Sequence, residues 1–241
     1  MQPVLDIRDI SKKYGNKQAV DRLSLTVYPG EIIGLLGPNG AGKTTAFYMT
    51  MGLIYPDSGT IHFNGMDVTR RAIDQRARMG MSYLAQEPSI FRGLTVRDNI
   101  ACILDMQPLD KEQREAKLMA LLRELDLTAL ADKPAITLSG GERRRLEITR
   151  SLATNPLLIL LDEPFANIDP LAISEVKALI HMLATRGIAV LITDHNAREM
   201  LSLVHRSYIM RDGKVCLSGT KEELIHNPIA RATYLGHDFS M

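Results

Sequence analysis

Glu31-Ile32-Ile33-Gly34-Leu35-Leu36-Gly37-Pro38-Asn39-Gly40-Ala41-Gly42-Lys43-Thr44 decides the fold. An apolar strand after the turn Pro29-Gly30 runs into a glycine-rich loop, and residues 43 to 54 then suit a helix. The last eight residues quoted fit the phosphate-loop pattern G-x-x-x-x-G-K-[ST] in the strand–loop–helix context that its mechanism requires. Its glycines let backbone N–H groups converge on phosphates at the positive end of the following helix. Lys43 is expected to reach the β and γ oxygens and Thr44 to ligate Mg²⁺. Gly37, Pro38, Asn39, Gly40, Ala41, Gly42 and Thr45 complete the expected nucleotide-binding set.

Upstream, Val4-Leu5-Asp6-Ile7 and the alternation of Leu23, Leu25 and Val27 with Ser24 and Thr26 predict short strands. Downstream, Tyr55-Pro56-Asp57-Ser58-Gly59 ends the helix before a strand at 60 to 63 and an Asn64-Gly65 turn, and a further strand fits 80 to 85. From about 88 to 155 the pattern turns helical. Leu118, Leu121, Leu122 and Leu125 share one face of a segment that Asp110 can cap. Two very apolar runs, 157 to 161 and 188 to 192, flank a helix-like 170 to 186 that opens at Asp169-Pro170 and stops at Gly187. Strand–helix–strand of this kind predicts a right-handed parallel unit buried on both faces. A hairpin at Asp212-Gly213 and a short helix capped by Thr220 with Glu223 precede a tail read as loose.

Leu157 to Leu161 ends in Asp162-Glu163, and ligands of open α/β sheets sit at such carboxyl ends. Asp162 is the expected metal carboxylate. Glu163 is expected to position the attacking water, since a carboxyl near pKa 4.3 is a poor base at neutral pH. Leu138-Ser139-Gly140-Gly141-Glu142 precedes a helix carrying Arg143, Arg144, Arg145 and Arg150. By itself Ser139 with Glu142 is a capping box; the same geometry also offers outward N–H groups and a hydroxyl to a γ-phosphate.

Composition narrows the partners. The 241 residues are 45% hydrophobic and 24% charged, ordinary values for a globular chain. With 29 Lys plus Arg against 28 Asp plus Glu, no net field attracts nucleic acid or an anionic bilayer. No apolar stretch approaches the roughly 18 residues of a membrane span, and Met1 to Ile10 lacks the form of a secretory signal. Cys102 and Cys216 lie far apart without metal-ligand spacing, as in a reducing compartment.

From about residue 4 to 226, with every motif in order, the chain resembles the ABC ATPase family. The resemblance implies an α/β phosphate-loop NTPase fold with a mixed β-sheet core, an antiparallel β subdomain and a helical subdomain. It implies one ABC ATPase domain over 1–241: the core with its β subdomain at about 1–87 and 156–226, the helical subdomain at about 88–155, and a tail at 227–241. The implied activity is ATP hydrolysis with Mg²⁺, by two copies that sandwich two nucleotides. Ser139, Gly140, Gly141 and Glu142 then contact the ATP of the partner copy. Gln86 couples metal and water to the helical subdomain, His195 touches the γ-phosphate, and Asp169 lies in a loop crossing the dimer interface. Tyr14 matches the position that stacks on adenine, where an aromatic face contributes roughly 1–3 kcal/mol, or it is a half-buried loop tyrosine. Phe91 and Arg92 fall where the family forms a groove for a membrane subunit, although Phe91 could equally be a core residue.

Within the family, Tyr83 to Arg92, Asp162 to Ala166, Thr193 to Asn196 and the ending Tyr234-Leu235-Gly236-His237-Asp238-Phe239 resemble the lipopolysaccharide-export ATPases. Ala85, Pro88 and Asn167-Ile168 depart from that group's pattern. The resemblance implies two transmembrane permease subunits (LptF/LptG-like), an LptC-like bitopic subunit, lipopolysaccharide as cargo, and a place on the cytoplasmic face of the inner membrane. The rivals are the ATPase of a branched-chain amino-acid importer and, from another class, a repair or chromosome ATPase. The last needs coiled coils or zinc modules, and neither heptads nor a Cys cluster is present.

Overall fold

The computed structural model describes residues 2–87, 89–166 and 169–236. Pro88, Asn167-Ile168 and His237-Asp238-Phe239, which entered the sequence comparison, lie outside them. The chain opens with β1 (Leu5–Tyr14), β2 (Lys17–Val27) and β3 (Ile32–Leu36), then α1 (Lys43–Met51), β4 (Ser58–Phe63), β5 (Met66–Asp67) and α2 (Ile73–Arg78). β6 (Met81–Leu84) leads into three helices, α3 (Val96–Leu104), α4 (Lys111–Glu124) and α5 (Gly140–Leu152). The last stretch holds β7 (Leu158–Asp162), α6 (Pro170–Thr185), β8 (Ala189–Thr193), α7 (Ala197–Leu203), β9 (Arg206–Arg211), β10 (Lys214–Thr220), α8 (Lys221–His226) and α9 (Pro228–Ala230).

Among the described residues the strands form two sheets. One is antiparallel, in the order β2-β1-β4-β5; the other runs β10-β9-β3-β8-β7-β6 and is parallel except for the β9–β10 hairpin. The expected α/β phosphate-loop fold, with mixed sheet, antiparallel sheet and helical segment, is therefore present. Period-two geometry sends alternate side chains of the mixed sheet to opposite faces. Ile159 and Leu161, Val190 and Ile192 join the helical residues and α6 on one face. Leu158 and Leu160, Ala189 and Leu191 join α1 and the antiparallel sheet on the other.

β1 and β2 are longer than the short strands expected, because their alternation slips. Ile7 and Ile10 are both buried although three apart, the β1–β2 register shifts between them, and Asp9 there has φ 51°. The caps read at Asp110, Ser139 and Thr220 all form, each as a capping box. Among its described residues, to 236, the tail differs from the loose segment expected. Asn227 caps α9 through bonds from the N–H groups of Ile229 and Ala230, and Arg231–Leu235 continues as a π-helical turn.

Strand order positions the site. β3 lies between β8 and β9, so the chain leaves its carboxyl end for the far edge of the sheet and returns through β7 and β8. Such a switch point opens a crevice at the carboxyl ends of the strands.

Candidate functional site

Four strands deliver their ends to that crevice in matched register. Leu84 pairs with Leu161, Leu161 with Ile192, and Asp162 with Thr193. The phosphate loop, Asp162 and Glu163 consequently line one cleft of about 270 Å³ together with Tyr14, and Gln86 and His195 stand beside it against Glu163. Larger hollows on the helical segment, such as that of about 550 Å³ beside Leu104 and Leu118, gather none of these groups.

The loop keeps its shape because glycine stands where the chain turns left-handed. Gly42 has φ 104°, and a Cβ there would collide with the carbonyl of Ala19. α1 starts at the next residue, so its first N–H groups face the cleft. Lys43 Nζ is held by the carbonyls of Gly37 (2.7 Å) and Pro38 (3.1 Å). Burial lowers its pKa from the ordinary value, and the carboxylates of Glu163, Asp162 and Asp194 oppose that shift.

The Asp162 carboxylate is 7% exposed and accepts bonds from Thr193 Oγ1 (2.7 Å) and Tyr83 Oη (3.1 Å). Glu163 Oε2 accepts from Gln86 Nε2 at 2.9 Å and lies 3.7 Å from His195 Nδ1. Glu163 itself has φ 47°, a left-handed conformation that costs a side-chain-bearing residue of order 1–2 kcal/mol. Its backbone is pinned there, the N–H donating to the Thr193 carbonyl at 2.8 Å. The structure thus brings together Lys43, Thr44, Thr45, Asp162, Glu163, Gln86 and His195.

Tyr14 lines the same cleft from the β1–β2 turn with its ring 49% exposed. Ser139, Gly140, Gly141 and Glu142 do not line it. They form the exposed tip of α5, where Ser139 Oγ accepts from the N–H of Glu142 (3.3 Å) and Ser139 N–H donates to Glu142 Oε2 (2.7 Å). Asp169 stands at the start of α6 and accepts from Ala172 N–H at 3.0 Å. Phe91 is 47% exposed, with the Arg150 guanidinium 4.6 Å from its ring centre, so it is no core residue; Arg92 beside it is exposed.

Sequence reasoning assigned no role to four residues of this site. Tyr83 and Thr193 bond Asp162, but only the strand pairing reveals it. Asp194, fully buried, accepts from the N–H groups of Phe165 (3.0 Å) and Asn196 (2.8 Å) and ties the two loops after β7 and β8. Tyr234 donates to the Asp194 carbonyl at 3.1 Å, and burial first, then the charges of Asp194 and Glu163, raises its pKa.

A phosphate loop, a buried metal-type carboxylate with an adjacent glutamate, and a separate exposed Ser-Gly-Gly helix tip define an ATP-binding cassette. Residues 20–166 match the ABC transporter family, and the chain belongs to that family, binding and hydrolysing ATP. Its relatives match it along nearly all of this chain. A lipopolysaccharide export system ATP-binding protein LptB of Acidithiobacillus ferridurans is 48% identical over 100% of both chains. LptB of Escherichia coli K12 is 45% identical over 98% of this chain and 99% of its own. An uncharacterized ABC transporter ATP-binding protein of Rhizobium meliloti is 52% identical over 97% of this chain and 87% of its own. Among solved structures, the ADP conformation of an ATP-binding cassette of an ABC transporter, 27% identical, covers 98% of this chain and 100% of that one with TM-score 0.89.

Proposed function

We propose that this chain is the ATP-hydrolysing subunit of a lipopolysaccharide exporter, acting as a pair beneath a separate membrane protein. The observation that carries the cargo is 48% identity with an LptB over the full length of both chains. No described helix is long and apolar enough to cross a membrane. As the ATPase of such an exporter, by its likeness to LptB, the chain sits on the cytoplasmic face of the inner membrane, against two LptF/LptG-like permease subunits with an LptC-like bitopic subunit. The exposed Phe91 and Arg92 provide a surface for a permease helix.

Thr44, Asp162 and Gln86 would hold Mg²⁺. These are hard oxygen donors, and no cluster of three His, Cys, Asp or Glu occurs among the described residues. That combination fits an ion held by one or two carboxylates plus substrate phosphates. When bound, the cation supplies charge neutralisation on the phosphates. The chain's own groups do the rest. Lys43 turns from the Gly37 and Pro38 carbonyls to the β and γ oxygens, Tyr14 stacks on adenine, and Glu163, steadied by Gln86 and His195, orients the attacking water. The outward tip Ser139-Gly140-Gly141, with Glu142 closing its cap, reaches the nucleotide of the second copy, and Asp169 lies at the seam between copies.

Glu163→Gln is expected to bind ATP as the parent does while turnover falls at least ~10²-fold. Near-parental hydrolysis would remove Glu163 from this role. The cargo is tested by affinity purification from solubilised membranes, with mass spectrometry of the accompanying proteins and lipid analysis. Permeases together with lipopolysaccharide support the exporter; importer permeases without lipid overturn it.

A further inference from the structure

We propose that Tyr83 and Thr193 are positioning residues, two hydroxyl clamps that orient the Asp162 carboxylate toward the cation accompanying the nucleotide; this rests on the nucleotide-site reading above. Each oxygen of Asp162 accepts one of them, Oδ1 from Thr193 at 2.7 Å and Oδ2 from Tyr83 at 3.1 Å. They arrive from opposite sides, because β8 and β6 flank β7. Thr193 is the register partner of Asp162, and Tyr83 is the partner of Leu160, which shares a strand face with Asp162.

The chemistry of the clamp matters as much as its geometry. An ionised carboxylate has about four lone-pair sites, so two hydroxyls fix its plane and leave the remaining sites for a cation. Neutral donors also orient the group without cancelling its charge, as a guanidinium or ammonium would. Tyr83 is in turn fixed edge-on against Phe47 (6.5 Å between ring centres) and Tyr48 (6.4 Å). Both rings belong to α1, the helix that begins at Lys43-Thr44. The acid of β7 and the helix that carries the phosphate-loop threonine are therefore linked through the Tyr83 ring and its two edge-on contacts. Such outer partners of ligating carboxylates typically change metal affinity roughly 10- to 100-fold when removed.

The test is ADP binding by the full chain, titrated with Mg²⁺ and repeated with excess chelator. Tyr83→Phe keeps the ring packing, Thr193→Val keeps the shape, and Thr193→Ser restores a hydroxyl. The Mg²⁺ concentration for half-maximal tightening of ADP is expected to rise roughly 10- to 100-fold in Tyr83→Phe and in Thr193→Val. Metal-free ADP affinity stays at the parental value, and Thr193→Ser recovers most of the loss. An unchanged Mg²⁺ requirement in either folded variant, or an equal loss of metal-free affinity, overturns the clamp. If the parent chain itself shows no Mg²⁺ effect on ADP, the nucleotide-site reading fails and takes the clamp with it.

Discussion

Arg76 has no exposed surface and forms no ion pair with a carboxylate among the described residues, yet all three of its guanidinium nitrogens are used. Nη1 donates to the carbonyls of Met49 (2.7 Å) and Thr50 (2.6 Å), Nη2 to Thr69 (3.1 Å) and Nε to Arg71 (3.0 Å). Met49 and Thr50 lie in the last turn of α1, the negative end of the helix, where the Gly52 N–H also donates to the Met49 carbonyl at 3.2 Å. Arg76 therefore completes the helix that carries Lys43 at its other end. Burial lowers its pKa to about 10, so it stays charged at neutral pH. Arg76→Met is expected to lower stability by at least about 2 kcal/mol, since several buried carbonyls lose their donor. An unchanged urea midpoint would deny it this role. Nothing in the sequence announces this residue: Arg70 to Arg78 is rich in charge and reads as a solvated face. Lys43, Asp162 and Glu163 were legible because their chemistry demands fixed residue types at fixed spacings. Tyr83 and Thr193 were not, because any strand can carry a tyrosine or threonine and the pairing that makes them matter spans 79 and 31 residues of chain.

Elements announced by local chemistry were readable, and those set by distant pairing were not. The box at α5 could be read from Ser139 and Glu142 alone, and it has a pH signature. The Glu142 carboxyl is held below its ordinary 4.5 first by the Ser139 backbone N–H and then by the Ser139 side chain. A depressed folded-state pKa means that the contribution is complete above about 4.5 and is lost as pH falls through the folded value. Glu142→Gln keeps an acceptor for the cap but cannot titrate. The stability gap between parent and variant is thus expected to shrink from about pH 7 to about pH 3, as followed by urea unfolding. A gap that does not change with pH would rule the linkage out. The β1–β2 hairpin was under-read because its register shifts at Asp9 and Arg22, both left-handed, break the alternation on which a strand is recognised. The end of the chain carried a usable signal that went unread: Asn227-Pro228 is a helix cap followed by proline at the first helical position.

For the molecule as a whole, the order of motifs along the chain suffices to place the candidate nucleotide site at the carboxyl ends of parallel strands. The order of strands does not follow from it. That β6 forms the sheet's edge while β3 lies inside depends on which apolar faces find one another: β3, β7 and β8 are alike buried throughout, and only the half-buried Ser82 and Tyr83 set β6 apart. α4 is tied to the segments that follow α5 and α6: Arg186 pairs with Glu124, and Lys117 Nζ bonds the carbonyl of Ala153 (2.9 Å) and Asn155 Oδ1 (3.0 Å). The division of β3, β7 and β8 between two apolar clusters bears on how the molecule comes apart. Ile159 cannot leave its neighbours among the helices without Leu158 and Leu160 leaving theirs beside α1, because one backbone carries all three. Melting should then be all-or-none across both cores, appearing as one calorimetric peak whose van't Hoff and measured enthalpies agree. Leu122→Ala, cut into the helical side alone, is expected to draw that whole peak to lower temperature. Two separate heat-absorption peaks would mean that the shared strands do not bind the halves into one cooperative unit.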